Sequence, residues 1–231
     1  LKNIKLLIQN SGIPHEITNF IINNLYTYKC SSKDQLKKAI STYPRNIKTY
    51  GNCIFWDVSN ITNMNHLFWC NRNRFNYNIS DWDVSNVTTM ASMFERSIFK
   101  GDISNWNVSN VTNMKSMFEH SKFNGDISKW DVSSVTDMDY MFYKSIFNRN
   151  IIDWNVSNVK NMRYMFGLSI FQYDISNWNI SDDINNESMF FNTLYKYYNK
   201  FDFFFIILFY YLKMLSRNDI LILIEKSCIP H

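Results

Sequence analysis

Oxygen-bearing side chains recur along this sequence at fixed distances from six tryptophans, and oxygen atoms are the ligands that calcium prefers in proteins. One row follows each Trp by one residue, and a second row follows three of them by twenty. Stacking of successive copies would align each row into a line of possible ligands. Asp and Asn also close turns by hydrogen bonding to the backbone, and we favour that role, so no metal site is predicted. The rows comprise Asp57, Asp83, Asn107, Asp131, Asn155 and Asn179, and Asp102, Asp126 and Asp174.

Serines form a further row, three residues after each Trp. A serine nucleophile needs one unique position with a base beside it, so equivalent serines indicate structural hydrogen bonding. The cysteines contain no CxxC pair, the histidines share no metal spacing, and the sequence has no phosphate-binding glycine loop, GxSxG or HExxH motif. The sequence therefore predicts a protein that is not an enzyme, with no cofactor and no small-molecule substrate. The serines are Ser59, Ser85, Ser109, Ser133, Ser157 and Ser181.

An internal repeat of 24 residues positions all of these rows. It begins at each of five tryptophans, and a looser first copy, two residues longer, begins at Trp56. A copy this short cannot bury enough apolar surface alone, so the copies must stabilise one another by stacking. The predicted core contains Trp82, Trp106, Trp130, Trp154 and Trp178, Met93, Met117, Met141 and Met165, and Phe94, Phe118, Phe142 and Phe166.

Two short elements are predicted in each copy. In the copy that begins at Trp82, residues 90–97 have the apolar spacing of one helix face, with Thr88 at the N-cap position. Ile103, Trp106 and Val108, in residues 103–108, are β-branched or aromatic, which favours a brief strand, and Gly101 marks the return turn. An apolar step of three residues would also fit a more extended coil. The predicted fold class is an α/β repeat solenoid of short strands and short helices.

The repeated phrase WDVSNVTNMxxMFxxSxFNxDISxW resembles the repeat of BspA-like, leucine-rich-repeat-related surface proteins, a family of mycoplasma-type lipoproteins. The resemblance extends from Trp56 to about Phe190, and the segment from Asp34 to Trp56 resembles the lead-in to the first repeat. It implies a leucine-rich-repeat-like solenoid used for adhesion or other protein contacts. The family supplies no catalytic residues.

Three regions are predicted along the chain. Residues 1–52 form a helical N-terminal cap and lead-in, residues 53–190 a solenoid of about five to six repeats, and residues 191–231 an aromatic C-terminal segment. Within the cap, Ser32 should begin a helix that Pro44 ends. The segment around Ile13-Pro14-His15-Glu16-Ile17 resembles the opening of an F-box, which implies a ubiquitin-ligase adaptor as the alternative function.

The repeat pattern decays after Trp178, and an apolar run at residues 203–212 follows. This run is about half as long as a bilayer-spanning helix. A buried capping helix is therefore favoured over membrane contact, and decayed coding sequence is the third alternative.

Composition and charge bear on partner and compartment. The net charge of +4 is spread along the chain without a basic block, so nucleic acid is not a predicted partner. Abundant Asn, Ile, Lys, Tyr and Phe suggest an AT-rich genome. No signal peptide or lipobox is visible, which favours the interior of a cell or of a virus-infected cell, whereas the family resemblance suggests the surface.

A protein partner of unknown identity is predicted, and the variable positions of the repeat should bind it. Positions nine, ten, thirteen and fourteen after each Trp change from copy to copy, while the other positions serve the core and the turns. Aromatic and basic side chains, which dominate binding hot spots, gather there in two neighbouring copies. The alternative is an ordinary solvated face. The predicted binding residues are Tyr140, Tyr143, Lys144, Arg163 and Tyr164.

Overall fold

The computed structural model describes residue 14 and residues 28–70, 75–180 and 184–193. Within these ranges the helices are α1 at Lys33–Thr42, α2 at Ile47–Tyr50 and a 3-10 helix at Cys53–Phe55. The apolar run at residues 203–212 and nearly all of the F-box-like opening lie outside the described residues, as does most of the C-terminal segment. Among the described helices, none has the length and apolar character that crossing a bilayer requires.

Helix α1 caps the first repeat. The Ser32 hydroxyl accepts a hydrogen bond from the Gln35 N–H at 3.3 Å, which satisfies one of the free amides of the first turn. The helix ends at Thr42, one residue before the predicted end, and the Tyr43 ring packs edge-on against Trp56 with centroids 5.6 Å apart. The buried face consists of Leu36, Ala39 and Ile40.

The segment predicted as a short helix forms successive turns instead. Every second N–H in this stretch donates to the carbonyl three residues earlier, and no α-helical bond is present among the described repeat residues. In the copy that begins at Trp82, these bonds join Met93 to Met90, Glu95 to Ser92 and Ser97 to Phe94, at 3.1, 3.3 and 3.1 Å.

The intervening N–H groups connect each repeat to the next. Four bonds of 2.7 to 3.1 Å join every consecutive pair of repeats, and isolated parallel bridges lie at the same place. A helix would use all of these donors internally and remove these four bonds between adjacent repeats. The division of donors between the repeat and its neighbour therefore accounts for the absence of the helix. From the copy at Trp82, the donors Met90, Ser92, Phe94 and Arg96 reach the carbonyls of Asn113, Lys115, Met117 and Glu119.

Left-handed residues occur at the same two positions in each repeat, ten and fourteen after Trp, with φ between 50° and 58°. A positive φ at only the third residue of a four-residue turn is the pattern of type II turns, which favour glycine there. None of the residues here is glycine, and each such residue costs about 1 to 2 kcal/mol. They are His66, Cys70, Ser92, Arg96, Ser116, His120, Tyr140, Lys144, Tyr164, Leu168, Ser188 and Asn192.

We expect Ser116→Gly to be more stable than Ser116→Ala by about 1 kcal/mol, because only glycine adopts the left-handed conformation without strain. Both variants lose the same hydroxyl, so their comparison isolates the backbone effect. Chemical denaturation of the two proteins measures the difference. Equal free energies of unfolding would contradict a left-handed Ser116.

The core consists of the apolar positions that repeat. The five predicted tryptophans are at most 6% exposed, and the predicted Met and Phe residues are fully buried. The rings of Phe94, Phe118 and Phe142 stack in one column, with centroids 5.5 and 5.7 Å apart and nearly parallel planes. The indole N–H of each of these five tryptophans donates to the carbonyl three residues before the preceding repeat begins, as when Trp130 Nε1 donates to the Ile103 carbonyl at 3.0 Å.

The predicted strand and glycine turn also differ from the structure. Residues 103–108 form no strand, because the parallel bridges lie seven residues after each Trp, as between Thr89 and Asn113. Gly101 has no positive φ. It leaves room for the Phe99 ring, whose Cζ atom would lie 2.6 Å from an added Cβ, so this glycine serves packing.

Candidate interaction surface

The five predicted binding residues lie together on two adjacent repeats. Lys144 is exposed, and Tyr140, Tyr143, Arg163 and Tyr164 are half-buried. They belong to a set of variable positions that we call the variable surface. It consists of Ala91, Ser92, Glu95, Arg96, Lys115, Ser116, Glu119, His120, Asp139, Tyr140, Tyr143, Lys144, Arg163, Tyr164, Gly167 and Leu168.

Three tyrosines form a packed cluster. The rings of Tyr140 and Tyr164 stack with centroids 5.3 Å apart and planes 11° apart. The Tyr143 ring stands edge-on to both, at 5.5 and 6.1 Å. Stacked and edge-to-face pairs are the favoured aromatic arrangements, so these rings are held in place before any partner binds.

Neighbouring residues fix the position of the Tyr143 ring. A Cβ at Gly167 would lie 3.0 Å from Tyr143 Cδ2, so the absence of a side chain there lets the ring approach the backbone. Lys144 Nζ lies 5.1 Å from the centroid of the same ring, within cation–π range. The Phe191 ring extends the cluster, with its centroid 5.9 Å from that of Tyr164.

An ion pair between the buried Asp139 and the partly exposed Arg163 lies beside the tyrosines. The Asp139 carboxylate accepts bonds from the Arg163 backbone N–H at 2.8 Å, from Nε at 3.0 Å and from a terminal guanidinium nitrogen at 2.6 Å. These bonds raise the pKa of Arg163 above its ordinary value. Lys115 Nζ is 3.9 Å from the same carboxylate. Three repeats are thus joined through one buried acid, and the guanidinium is held next to the tyrosine rings.

The variable surface is only partly accessible. Ser92, Ser116, Asp139 and Gly167 are buried, so varying positions do not all face solvent. The part open to a partner therefore consists mainly of the tyrosine cluster and the long charged side chains.

Asp139 and Phe191 also belong to this cluster, although neither was among the predicted binding residues. Asp139 and Arg163 are opposite charges one repeat length apart, at positions where other copies carry Ala91 or Lys115. That spacing was the available signal. Phe191 offered less, because the repeat pattern is already decaying there.

The Asp and Asn row next to the tryptophans closes turns in the described repeats. Asp131 Oδ1 accepts from the Ser133 N–H at 3.0 Å and from its hydroxyl at 2.6 Å, and Asn107 accepts the equivalent bonds from Ser109. Within the described ranges no group of three or more His, Cys, Asp or Glu side chains could hold a metal ion. One side-chain oxygen of each of Asp57, Asp83, Asn107, Asp131 and Asn155 accepts hydrogen bonds within its own repeat.

Asp102 and Asp126 of the second row accept turn bonds from Ser104 and Ser128 as Asp131 does from Ser133, and these bonds predict how the stability of the protein depends on pH. Hydrogen bonds from serine lower the pKa of Asp102, Asp126 and Asp131 in the folded protein. A lowered folded-state pKa stabilises the protein above the unfolded-state pKa of about 3.9, and this stabilisation is lost as pH falls through the folded-state pKa. The triple variant Asp102→Asn, Asp126→Asn and Asp131→Asn should therefore lose less Tm than the natural protein between neutral and strongly acidic pH.

The control for this prediction is Asp153→Asn, which changes an exposed carboxylate that accepts no hydrogen bond from the described residues. Thermal unfolding across the pH range measures the effect. Asn107 and Asn150 show that an amide accepts the equivalent turn bonds. An acid dependence of the triple variant equal to that of the natural protein would contradict the role of these turns.

Two cysteines are buried away from any reactive setting. Burial raises the pKa of the Cys30 thiol to about 12 and that of the Cys53 thiol to about 11. Both remain protonated at neutral pH, whereas the thiolate is the nucleophilic form. These residues therefore serve packing.

The comparison with protein families agrees with a tandem repeat. The family described as Mycoplasma protein of unknown function, DUF285, matches residues 35–144 and, in a second overlapping match, residues 97–201. Together the matches cover well over half of the 231 residues. No curated protein and no solved structure matches the chain significantly. The chain belongs to the DUF285 family of Mycoplasma proteins.

Proposed function

We propose that the chain is a non-enzymatic protein-interaction module, built as a solenoid of BspA-like repeats, and that its partner binds the tyrosine cluster of the variable surface. The observation that carries this proposal is the packed arrangement of Tyr140, Tyr143 and Tyr164 at positions that the repeat does not require for its core.

Repetition supports a binding role. The core tryptophans and phenylalanines and the hydrogen bonds between repeats use the same positions in each copy, so they carry no information about a particular partner. Side chains at varying positions are displayed at intervals of one repeat along a stacked array. Repeat proteins bind partners on such extended surfaces.

The energetics of interfaces support the choice of the tyrosines. Tyr and Arg are enriched among residues whose truncation costs most binding energy. Rings that are already packed lose little side-chain freedom on binding, which reduces the cost of association. Arg163 gains the same advantage from its bonds to Asp139.

A capture experiment tests the proposal. The chain and a variant with Tyr140→Ala, Tyr143→Ala and Tyr164→Ala are used to capture proteins from a lysate of the host, and the captured proteins are identified by mass spectrometry. A specific partner should be lost with the triple variant. The double variant Tyr77→Ala and Tyr173→Ala removes exposed tyrosines outside the variable surface and should retain it.

Circular dichroism and Tm establish that both variants remain folded. A partner retained in full by the folded triple variant would place the binding site elsewhere, most simply on the turns next to the tryptophans.

A further inference from the structure

The cationic side chains of the variable surface are more exposed than two of its three acids, Glu95 and Asp139, and the third acid, Glu119, is half-buried. The side chains of Arg96, Lys115 and Arg163 are 56%, 46% and 38% exposed. Those of Glu95 and Asp139 are 16% and 2% exposed. A partner approaching from solvent therefore meets more cationic than anionic surface, although the formal charges are nearly balanced.

The acids are withdrawn for a structural reason. Asp139 accepts three hydrogen bonds from Arg163, and its carboxylate also lies 3.9 Å from Lys115 Nζ, so its charge is compensated within the protein. Glu95 lies 3.6 Å from the neighbouring Arg96 guanidinium. Lys144 is exposed and projects over the Tyr143 ring.

The four cations stand one on each of four consecutive repeats. Arg96 and Lys144 lie fourteen residues after Trp and Lys115 and Arg163 nine, so the row is a zigzag. Parallel strands are about 4.8 Å apart, so three such steps along the stack extend over roughly 14 Å. A fully extended peptide rises about 3.3 Å per residue, so about five residues span this distance. Tyrosine hydroxyls at one end of the row can donate hydrogen bonds to carboxylates.

We infer that the variable surface binds an extended acidic peptide segment of about five residues or more, with its carboxylates facing Arg96, Lys115, Lys144 and Arg163 and one end lying on the tyrosine cluster. This inference rests on the proposed function and adds the chemistry of the partner. The charge distribution favours a polyanion, and the packed tyrosine rings, typical of protein hot spots, favour a peptide.

Fluorescence anisotropy with a fluorescein-labelled hexaglutamate peptide tests the inference on the full chain. Binding should be measurable at low ionic strength and should weaken with added salt, because screening reduces attraction between exposed charges. The variant Arg96→Glu and Lys144→Glu should weaken binding roughly tenfold or more. It leaves the Asp139 ion pair intact.

The matched control is Lys100→Glu and Lys129→Glu, which makes the same change in net charge at exposed positions outside the variable surface. It should alter the Kd much less. Equal weakening by both variants would overturn the inference, because it would show attraction to net charge alone. Failure of hexaglutamate to bind would also overturn it.

Two further probes decide the class of partner. A labelled single-stranded RNA and a heparin fragment, each matched in charge to hexaglutamate, should bind more weakly than hexaglutamate does. Tighter binding of either would overturn the assignment to a peptide. The capture experiment with the tyrosine triple variant is independent of these measurements. A partner that depends on the tyrosines but is not acidic would overturn this inference and leave the proposed function intact.

Discussion

Replacing Trp130 by alanine is expected to lower the free energy of unfolding by about 3 to 5 kcal/mol. The side chain is 3% exposed, and its ring packs near Phe118, with centroids 6.4 Å apart. The indole N–H also donates to the Ile103 carbonyl, three residues before the preceding repeat begins, at 3.0 Å. The substitution therefore creates a cavity and removes one of the two hydrogen bonds to the Ile103 carbonyl, which keeps the bond from the Trp106 N–H at 3.2 Å.

Two controls separate these contributions. Trp130→Phe retains much of the apolar volume but removes the N–H, so it should cost less than alanine and more than a surface change. Lys129→Ala changes the exposed neighbouring residue and should have little effect. Urea denaturation measures all three variants. If Trp130→Ala and Lys129→Ala gave the same midpoint, the indole would not connect the repeats as the structure indicates.

The sequence was informative about packing because packing repeats. A position such as Phe118 recurs in each copy since its ring meets the equivalent ring of the next copy, and the structure buries it. The mycoplasma-type family was also indicated correctly from the repeated phrase. Both inferences rest on residue types that the structure requires at fixed intervals.

The backbone of the turns was not readable in the same way. The apolar spacing in residues 90–97 fits a helix face. However, the N–H groups donate alternately to carbonyls of their own repeat, such as that of Ser92, and to carbonyls of the next repeat. Propensity describes one segment at a time and contains no term for such a neighbour. The left-handed residues gave no warning either, because Ser116, Tyr140 and Lys144 are not residues that favour positive φ.

The tyrosine cluster was partly predictable because its positions also recur at the repeat interval. The sequence placed Tyr140 and Tyr164 one repeat length apart, and stacking at that interval brings their rings to 5.3 Å. The accessibility of the surrounding positions depended on turn geometry, so the burial of Ser92 and Asp139 could not be deduced.

Replacing Phe118 by alanine is expected to lower the free energy of unfolding by about 3 to 5 kcal/mol and to weaken the repeats on both sides. The ring is fully buried between Phe94 at 5.5 Å and Phe142 at 5.7 Å, and it also stacks on Phe123 at 4.5 Å. In a linear array stability is the sum of repeat and interface contributions, and this substitution reduces two interfaces at once.

Hydrogen exchange of the folded variant reports where stability is lost. Protection should fall for the N–H groups of Met93 and Phe94 in the preceding repeat and of Met141 and Phe142 in the following one, because their repeats depend on the missing ring. Phe118→Leu keeps part of the apolar volume, so its loss of protection should be smaller at the same positions. Loss of protection restricted to the repeat of Phe118 would show that the phenylalanine column does not couple neighbouring repeats, and the hydrogen bonds between repeats would then have to supply that coupling alone.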